Sequence, residues 1–127
     1  MPDSAAGYGE LARDHLARPV GAGCFSPGVT GVVSGEAGSL AGGGFVRLHL
    51  QIRNHRIIDT RFEVYGGPAL MAAGSWYCAA LRSKKVSRNS IPSGFEAARL
   101  LGLPRDEQGS ALLAEDAVLA ALEQLLR

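Results

Sequence analysis

Two segments in which apolar and polar residues alternate lie on either side of a short polar link at residues 53–56. In the first segment, every second residue from Val46 to Ile52 is apolar. In the second segment, one face consists of Ile58, Thr60, Phe62 and Val64, and the residues between and after them are Asp59, Arg61, Glu63 and Tyr65. A period of two is typical of strands with one buried face. Because the link is so short, we predict an antiparallel hairpin.

Helical patterns precede and follow this hairpin. Residues 8–18 carry apolar side chains at helical spacing, and Pro19 stops them. Pro68 is well placed in the first turn of a helix. From Ala69 to about Arg82 this helix is apolar on most sides, which indicates that it is largely buried.

Two more helices are predicted towards the C-terminus. Ser93 and Glu96 form a capping box at the start of the first, which ends at Gly102. Ser110 is positioned to cap the second. One stripe of that last helix consists of Leu113, Ala117, Ala121 and Leu125.

The region from Gly21 to Gly44 differs sharply in composition, because glycine is concentrated there. We predict mostly loop, with one short strand at Thr30–Ser34. The order is then one helix, two or three strands, and three helices. Strands and helices that are segregated in this way predict an α+β fold rather than a wound parallel sheet.

The bulk numbers are those of one ordinary globular domain spanning residues 1–127. Apolar residues make up 46% of the chain and charged residues 20%, with a formal net charge of +1. Because positive and negative charges are nearly equal in number, the protein has no overall electrostatic field that would attract nucleic acid or an anionic membrane. No apolar run approaches the roughly 20 residues of a membrane span, and the N-terminus has no features of a secretory signal. We therefore expect a cytoplasmic protein whose Cys24 and Cys78 are free thiols rather than a disulfide.

Candidate catalytic chemistry is sparse. Gly42-Gly43-Gly44 leads into a strand instead of a helix, so a loop is favoured over a phosphate cradle. Cys78 is predicted to lie inside an apolar helix, where a thiol is inert. We see no catalytic triad, acid pair or cysteine metal cage, and we expect a protein that is not an enzyme.

Two binding alternatives remain open. His15, His49 and His55 lack the spacing of a metal-binding helix, although iron or zinc could still be held by residues such as His49, His55 or Cys24. Basic residues that could bind nucleic acid occur on the predicted sheet and after the buried helix, but no aromatic residues interleave with them. They are Arg47, Arg53, Arg56, Arg61, Arg82, Lys84, Lys85 and Arg88.

Taken together and in order, these segments resemble the iron–sulfur cluster assembly scaffold family. The type is that of IscU, which is equivalent to the N-terminal domain of NifU. The resemblance runs from about Tyr8 to Leu126 and is best at Arg47–Ile52, Phe62–Gly66 and Leu113–Ala117. Asp14-His15, followed by Pro19 and Gly21, adds weaker support. It implies a small antiparallel sheet of about three strands, with helices packed on one side.

The family assembles a [2Fe–2S] cluster on three cysteines, helped by an aspartate. The resemblance places the first cysteine and the aspartate at Gly42 and Gly44, and the second cysteine at Gly67. The third, with the histidine before it, falls at Gly109-Ser110. Glycine offers no side-chain ligand, and serine is a poor substitute for a thiolate. We therefore expect no cluster as cofactor, and no catalytic, cofactor-binding or metal-binding residue of the family type.

The family's chaperone-recognition segment, Leu-Pro-Pro-Val-Lys, also differs. Here it reads Leu103-Pro104 followed by Arg105-Asp106-Glu107, and the two acids should weaken chaperone docking. Leu103 and Pro104 remain the predicted partner-binding residues. We expect a scaffold-like protein that has lost its ligands and that binds a protein partner, such as a cysteine desulfurase or another scaffold, as an accessory or regulator.

Overall fold

A computed structural model of the protein describes residues 7–125. Three strands and four α-helices follow one another in the predicted order, and single turns of 3₁₀ helix at Arg88–Ser90 and Arg105–Glu107 precede the last two helices. The elements are α1 (Glu10–Ala17), β1 (Val32–Ser39), β2 (Gly44–Arg53), β3 (Arg56–Tyr65), α2 (Pro68–Leu81), α3 (Gly94–Leu101) and α4 (Gly109–Glu123). Over the described residues, no helix has the length and apolarity needed to cross a membrane.

The three strands form one antiparallel sheet in the order β1-β2-β3. The predicted hairpin is confirmed, and its two-residue loop, Asn54-His55, has positive φ at both positions. Loops of this kind match the twist of the flanking strands.

The predicted inner face of β3 is wrong at its first residue. Pairing shifts between Gln51 and Ile52, so that Gln51 faces Asp59 whereas Ile52 faces Ile57. This bulge places Ile57 in the core at 0% exposure and leaves Ile58 at 40%. From Thr60 onwards the alternation runs as predicted.

β1 is longer than the predicted strand and lies later in the chain. It covers residues for which the composition predicts a loop, among them Gly35 and Gly38. A Cβ atom at Gly35 would collide with the backbone of α4 at Ala117 and Ala121. Glycine occurs here because a helix backbone lies directly on the strand, which a glycine count cannot distinguish from a flexible loop.

The helices cover one face of the sheet, and the core lies between the two layers. α4 packs mainly on β1, and α2 packs on β3, α1 and α4. The inner face of the sheet supplies Val46, Leu48 and Leu50, all fully buried. The predicted α+β class and the single helical layer are thus confirmed.

The helix ends agree with the sequence at α3 but not at α4. The Ser93 hydroxyl accepts a bond from the Glu96 amide, and Gly102 ends α3 in the left-handed conformation. By contrast, Ser110 is not a cap, because α4 already begins at Gly109 after the 3₁₀ turn. The predicted stripe is buried at Ala117 and Ala121, whereas Leu113 is half-buried and Leu125 is exposed.

Candidate functional site

Three segments meet at one end of the sheet, which we call the glycine end: the β1–β2 turn at residues 39–44, the β3–α2 junction at residues 66–67 and the first residues of α4, 109–110. The Cα of Gly44 lies 3.4 Å from where a Cβ on Gly66 would be. Leu113, one turn into α4, has its Cδ2 atom 2.9 Å from the corresponding point on Gly38. The fold therefore gathers the β1–β2 turn, the β3–α2 junction and the start of α4.

The residues that the resemblance matches to the family's ligand positions all lie at the glycine end. Gly42, Gly67 and Gly109 are exposed there, and Gly44 and Ser110 are half-buried. A Cβ atom would meet nothing within 4 Å at Gly67 or Gly109, and at Gly42 it would be close to only the Ser39 side chain and carbonyl. The space for side chains exists here, and the present residues leave it open.

Exposed apolar side chains border the glycine end. Leu40, in the β1–β2 turn, is 71% exposed, and Tyr65, at the end of β3, is 61% exposed. Tyr65 and Met71 of α2 also line a pocket of about 320 Å³ between β3 and the segment at residues 19–23. An apolar rim around polar backbone is suited to contact with another protein.

A second arrangement lies on the sheet face that the helices leave uncovered, which we call the outer face. The Ser34 hydroxyl is 2.6 Å from Nδ1 of His49, and Nε2 of the same ring is 2.7 Å from Oε1 of Glu63. Arg47 pairs with Glu36 at 2.9 Å and lies 3.8 Å from Glu63. The predicted face of His49 is correct, but its side chain is only 12% exposed and is bonded on both sides.

Sequence reasoning missed this row of Ser34, His49 and Glu63. The alternation identifies the polar positions of β2 and β3, yet it puts Ser34 at the end of a short strand of unknown partner. Only the β1–β2 register, which sets Ser34 opposite His49, brings the three together. A correct assignment of β1 is the signal that would have found them.

The other histidines and the cysteines lie apart from one another. His55 is exposed at the hairpin loop, whereas His15 is buried and bonds the Ser75 hydroxyl at 2.6 Å. Cys24 is exposed and Cys78 buried, both as free thiols, and burial raises the pKa of Cys78 to about 12. Among residues 7–125, no group of three or more His, Cys, Asp or Glu side chains is placed to hold a metal ion.

Acidic neighbours neutralise much of the basic residue set. Arg61 and Arg82 both pair with Asp59, at 2.8 and 3.2 Å, and Arg88 lies 3.6 Å from Glu123. Desolvation by burial raises the pKa of the Asp59 carboxyl, but the hydrogen bonds from Arg61 and the Thr60 amide lower it by more. The pKa of Asp59 is therefore below its ordinary value. These pairs reduce the positive charge that this part of the surface presents to a partner.

The segment around the predicted partner-binding residues is used within the molecule. Leu103 is 5% exposed and belongs to the core, and Pro104 is half-buried. The Tyr8 hydroxyl donates to Oε1 of Glu107 at 2.6 Å, which ties the start of the described chain to this segment. Burial, with the nearby Glu107 carboxylate, raises the pKa of Tyr8. A role for Leu103 and Pro104 in binding stays a prediction.

Comparisons with known proteins agree with the arrangement of these elements. A family model described as the NifU-like N terminal domain matches residues 7–127. The chain is similar to the iron–sulfur cluster assembly scaffold protein IscU of Escherichia coli K12, with 30% identity over 116 residues and 91% of each protein covered. It is also similar to the iron sulfur cluster assembly protein 1 of Trachipleistophora hominis, at 28% identity, with 91% of this chain and 83% of that protein covered.

Two solved structures share the fold. One is the N-terminal part of a nitrogen-fixing NifU-like protein from Brucella abortus, with a TM-score of 0.67, 16% identity and 93% of each chain covered. The other is a scaffold protein for the SUF system from Fervidobacterium islandicum AW-1, with a TM-score of 0.65 and 15% identity. That match covers 94% of this chain and 99% of the other.

Proposed function

The chain belongs to the NifU-like N-terminal domain family, and from that premise we propose that it is a scaffold-like protein of iron–sulfur cluster assembly that has lost its cluster ligands. It acts in the cytoplasm as a protein-binding accessory or regulator of the cysteine desulfurase and scaffold machinery. The family is one of scaffolds rather than enzymes, so the function is expected to lie in binding.

One observation supports the proposal: the residues that the resemblance matches to the family's ligand positions lie together, and they offer no suitable donor. Gly42, Gly44, Gly67 and Gly109 have no side-chain ligand atom, and Ser110 presents a hydroxyl. Iron–sulfur clusters are held by thiolates, with histidine replacing cysteine in some of them. This donor set does not fit a [2Fe–2S] cluster.

The two cysteines do not fill the gap. Cys78 is inside α2 with a raised pKa, so its thiolate is disfavoured, and its side chain is directed at Gly21 and Thr60 rather than towards solvent. Cys24 lies in the segment between α1 and β1. Neither occupies one of the five family positions.

The apolar rim of the glycine end supports a role in protein binding. Leu40 and Tyr65 are among the most exposed large apolar side chains of the described residues, and both border the turns that the family uses. Aromatic and aliphatic anchors of this kind dominate the energetics of interfaces. The surface is therefore available for docking although the cluster ligands are absent.

The test is a calorimetric titration of the protein into the cysteine desulfurase of the same source. We expect a dissociation constant of about 1 μM or tighter. Leu40→Asp and Tyr65→Asp should each weaken binding about tenfold or more, since an introduced carboxylate must be desolvated in the interface. Ile58→Asp is the matched control, because Ile58 is 40% exposed on β3 and lies near the hairpin loop, at the opposite end of the sheet from the glycine end.

Two results would count against the proposal. If the protein bound neither the desulfurase nor a scaffold that carries the cluster ligands, only its fold would connect it with the assembly machinery. An equal loss in Ile58→Asp would mean that the partner binds a different surface.

A further inference from the structure

The row formed by Ser34, His49 and Glu63 has the residue types and the hydrogen-bond order of a nucleophile, a base and an orienting acid. We propose that it is a catalytic triad that hydrolyses carboxylic esters with a small acyl group, in the pocket beside β1. Activated serines are recognised by this geometry, in which a base bonds the nucleophile and a third group orients the base. The site is on the outer face, so it is independent of the proposed role of the glycine end.

The proton positions follow from the partners. The Glu63 carboxylate can only accept a hydrogen bond, so Nε2 of His49 carries the proton in the 2.7 Å contact. In the neutral ring Nδ1 then has a lone pair, and the Ser34 hydroxyl donates to it at 2.6 Å. This is the tautomer that lets an imidazole remove the serine proton.

The backbone holds this contact in place. The Ile52 amide donates to the Gly31 carbonyl, so Gly31 and Ile52 form a hydrogen-bonded pair. Such pairs alternate with non-hydrogen-bonded pairs along an antiparallel ladder, and Ser34 and His49, three positions further along the register, form one of the latter. Side chains approach more closely in pairs of that type, which accounts for the short Ser34–His49 distance.

The same alternation directs the Ser34 amide away from β2, towards the free edge of the sheet. The Ser34 carbonyl points the same way, since it accepts from Nε2 of Gln124 at 2.6 Å. Ser34, Arg47 and Gln124 line a pocket of about 370 Å³ between β1 and α4. An ester carbonyl in this pocket would find donors in the Ser34 amide and the Gln124 amide group. Nε and Nη2 of Arg47 are already bonded to Glu36, which also lines the pocket.

The reaction balances with water as the only co-reactant. Oγ of Ser34 forms a bond to the carbonyl carbon while its proton passes to Nδ1 of His49, and Glu63 stabilises the resulting imidazolium. The carbon–oxygen bond to the leaving alcohol breaks as that oxygen takes the proton from Nδ1. Water then adds to the acyl–serine by the same route, releases the carboxylic acid and restores Ser34.

The test measures hydrolysis of para-nitrophenyl acetate and covalent labelling by a fluorophosphonate, which a serine attacks with loss of fluoride. Because the exposed thiol of Cys24 can also react with the ester, the parent for comparison is Cys24→Ala, run beside the unaltered protein. In that parent, Ser34→Ala should lower the rate above background about 100-fold and abolish labelling. Mass spectrometry of the labelled peptide should place the adduct on Ser34.

Further variants distinguish catalysis by this row from the general reactivity of exposed side chains. Glu63→Gln keeps the size of the side chain but removes its charge, and it should also slow hydrolysis. Ser26→Ala and His55→Asn change an exposed serine and an exposed histidine outside the row, and both should react like the parent. A rate unchanged by Ser34→Ala in a protein with the parent's circular dichroism, or an adduct on another residue, would overturn the proposal.

Discussion

Ser75 joins two segments of the chain through one hydroxyl group. Its Oγ accepts a bond from the Val20 amide at 2.8 Å and lies 2.6 Å from Nδ1 of His15. Because the Val20 bond uses the oxygen as an acceptor, the hydroxyl proton is free to be donated to the ring. α1 and the segment after it are thereby fixed to α2, and both His15 and Ser75 are buried.

His15 should make the stability of the protein depend on pH. Burial lowers the pKa of His15 below its ordinary value of 6.5, and the nearby Asp14 opposes this only in part. Below pH 6.5 the unfolded chain therefore binds a proton that the folded protein does not. The free energy of unfolding should fall as pH decreases from about 6.5 towards the lowered pKa, by at most about 1.4 kcal/mol per pH unit.

Urea unfolding at a series of pH values between 8 and 5 checks this expectation. His15→Gln should flatten the pH dependence over that range, whereas His55→Asn, which alters an exposed histidine, should keep it. An identical slope in His15→Gln and the parent protein would show that other groups are responsible.

At single positions, the sequence is informative wherever residue identity alone decides the chemistry. A glycine has no side-chain atom that can ligate iron, so the amino-acid sequence by itself reveals the character of Gly42 and Gly67. Contacts between strands are different, because Ser34, His49 and Glu63 come from three strands whose register is set by the whole sheet. The bulge beside Ile57 is unpredictable for the same reason, since either this isoleucine or the next could occupy the inner face.

Among the elements, the contact between β1 and α4 depends most on a single residue. The α4 backbone at Ala117 and Ala121 lies directly over Gly35, where a Cβ atom has no room. Gly35→Ala should therefore force the helix from the strand and destabilise the protein by about 1–3 kcal/mol or more. Gly28→Ala is the control, because a Cβ there meets nothing within 4 Å.

Chemical unfolding of both variants measures the difference. If Gly35→Ala cost no more than Gly28→Ala, then α4 would not be seated on β1 as described. The same contact explains why the composition of this strand is that of a loop. Glycine is most often a turn former, whereas Gly35 is required by a neighbour that lies more than 80 positions further along the chain.

Considered as a whole, the molecule brings the β1–β2 turn, the β3–α2 junction and the start of α4 together, and under the proposed function it has lost the cluster ligands of those segments. Restoring them tests whether that loss alone separates this chain from a cluster scaffold. The variant Gly42→Cys, Gly44→Asp, Gly67→Cys and Ser110→Cys should gain visible absorbance on anaerobic reconstitution with iron and sulfide, because its new thiolates lie on segments that already meet.

The parent protein should remain colourless under the same conditions. A control with three cysteines at the exposed positions Arg53, Ala79 and Asn89 should also stay colourless, since none of these belongs to the segments that form the glycine end. A parent protein that assembled a cluster at the same ratio of iron to protein would contradict the loss of the site.

The order of the elements makes the family recognisable although individual stretches are weak. The resemblance depends on local patterns, namely the β2–β3 alternation, the Tyr65-Gly66 turn and the Leu113–Ala117 segment. By contrast, the contacts between the helices and the sheet join residues that are far apart in the sequence. A single amino-acid sequence does not show directly which of these residues will meet.

The seating of α4 on β1 has a further consequence, for the chain as it emerges from the ribosome. β1, β2 and β3 are neighbours in sequence and can pair soon after they are synthesised, but α4 is the last described element to appear. Until then the side of β1 and β2 that it will cover, including Leu48, faces solvent. Nascent chains with uncovered apolar sheets are prone to aggregate. Slow translation after α3 would prolong that exposure, so the yield of native protein should depend on how quickly the final helix is made.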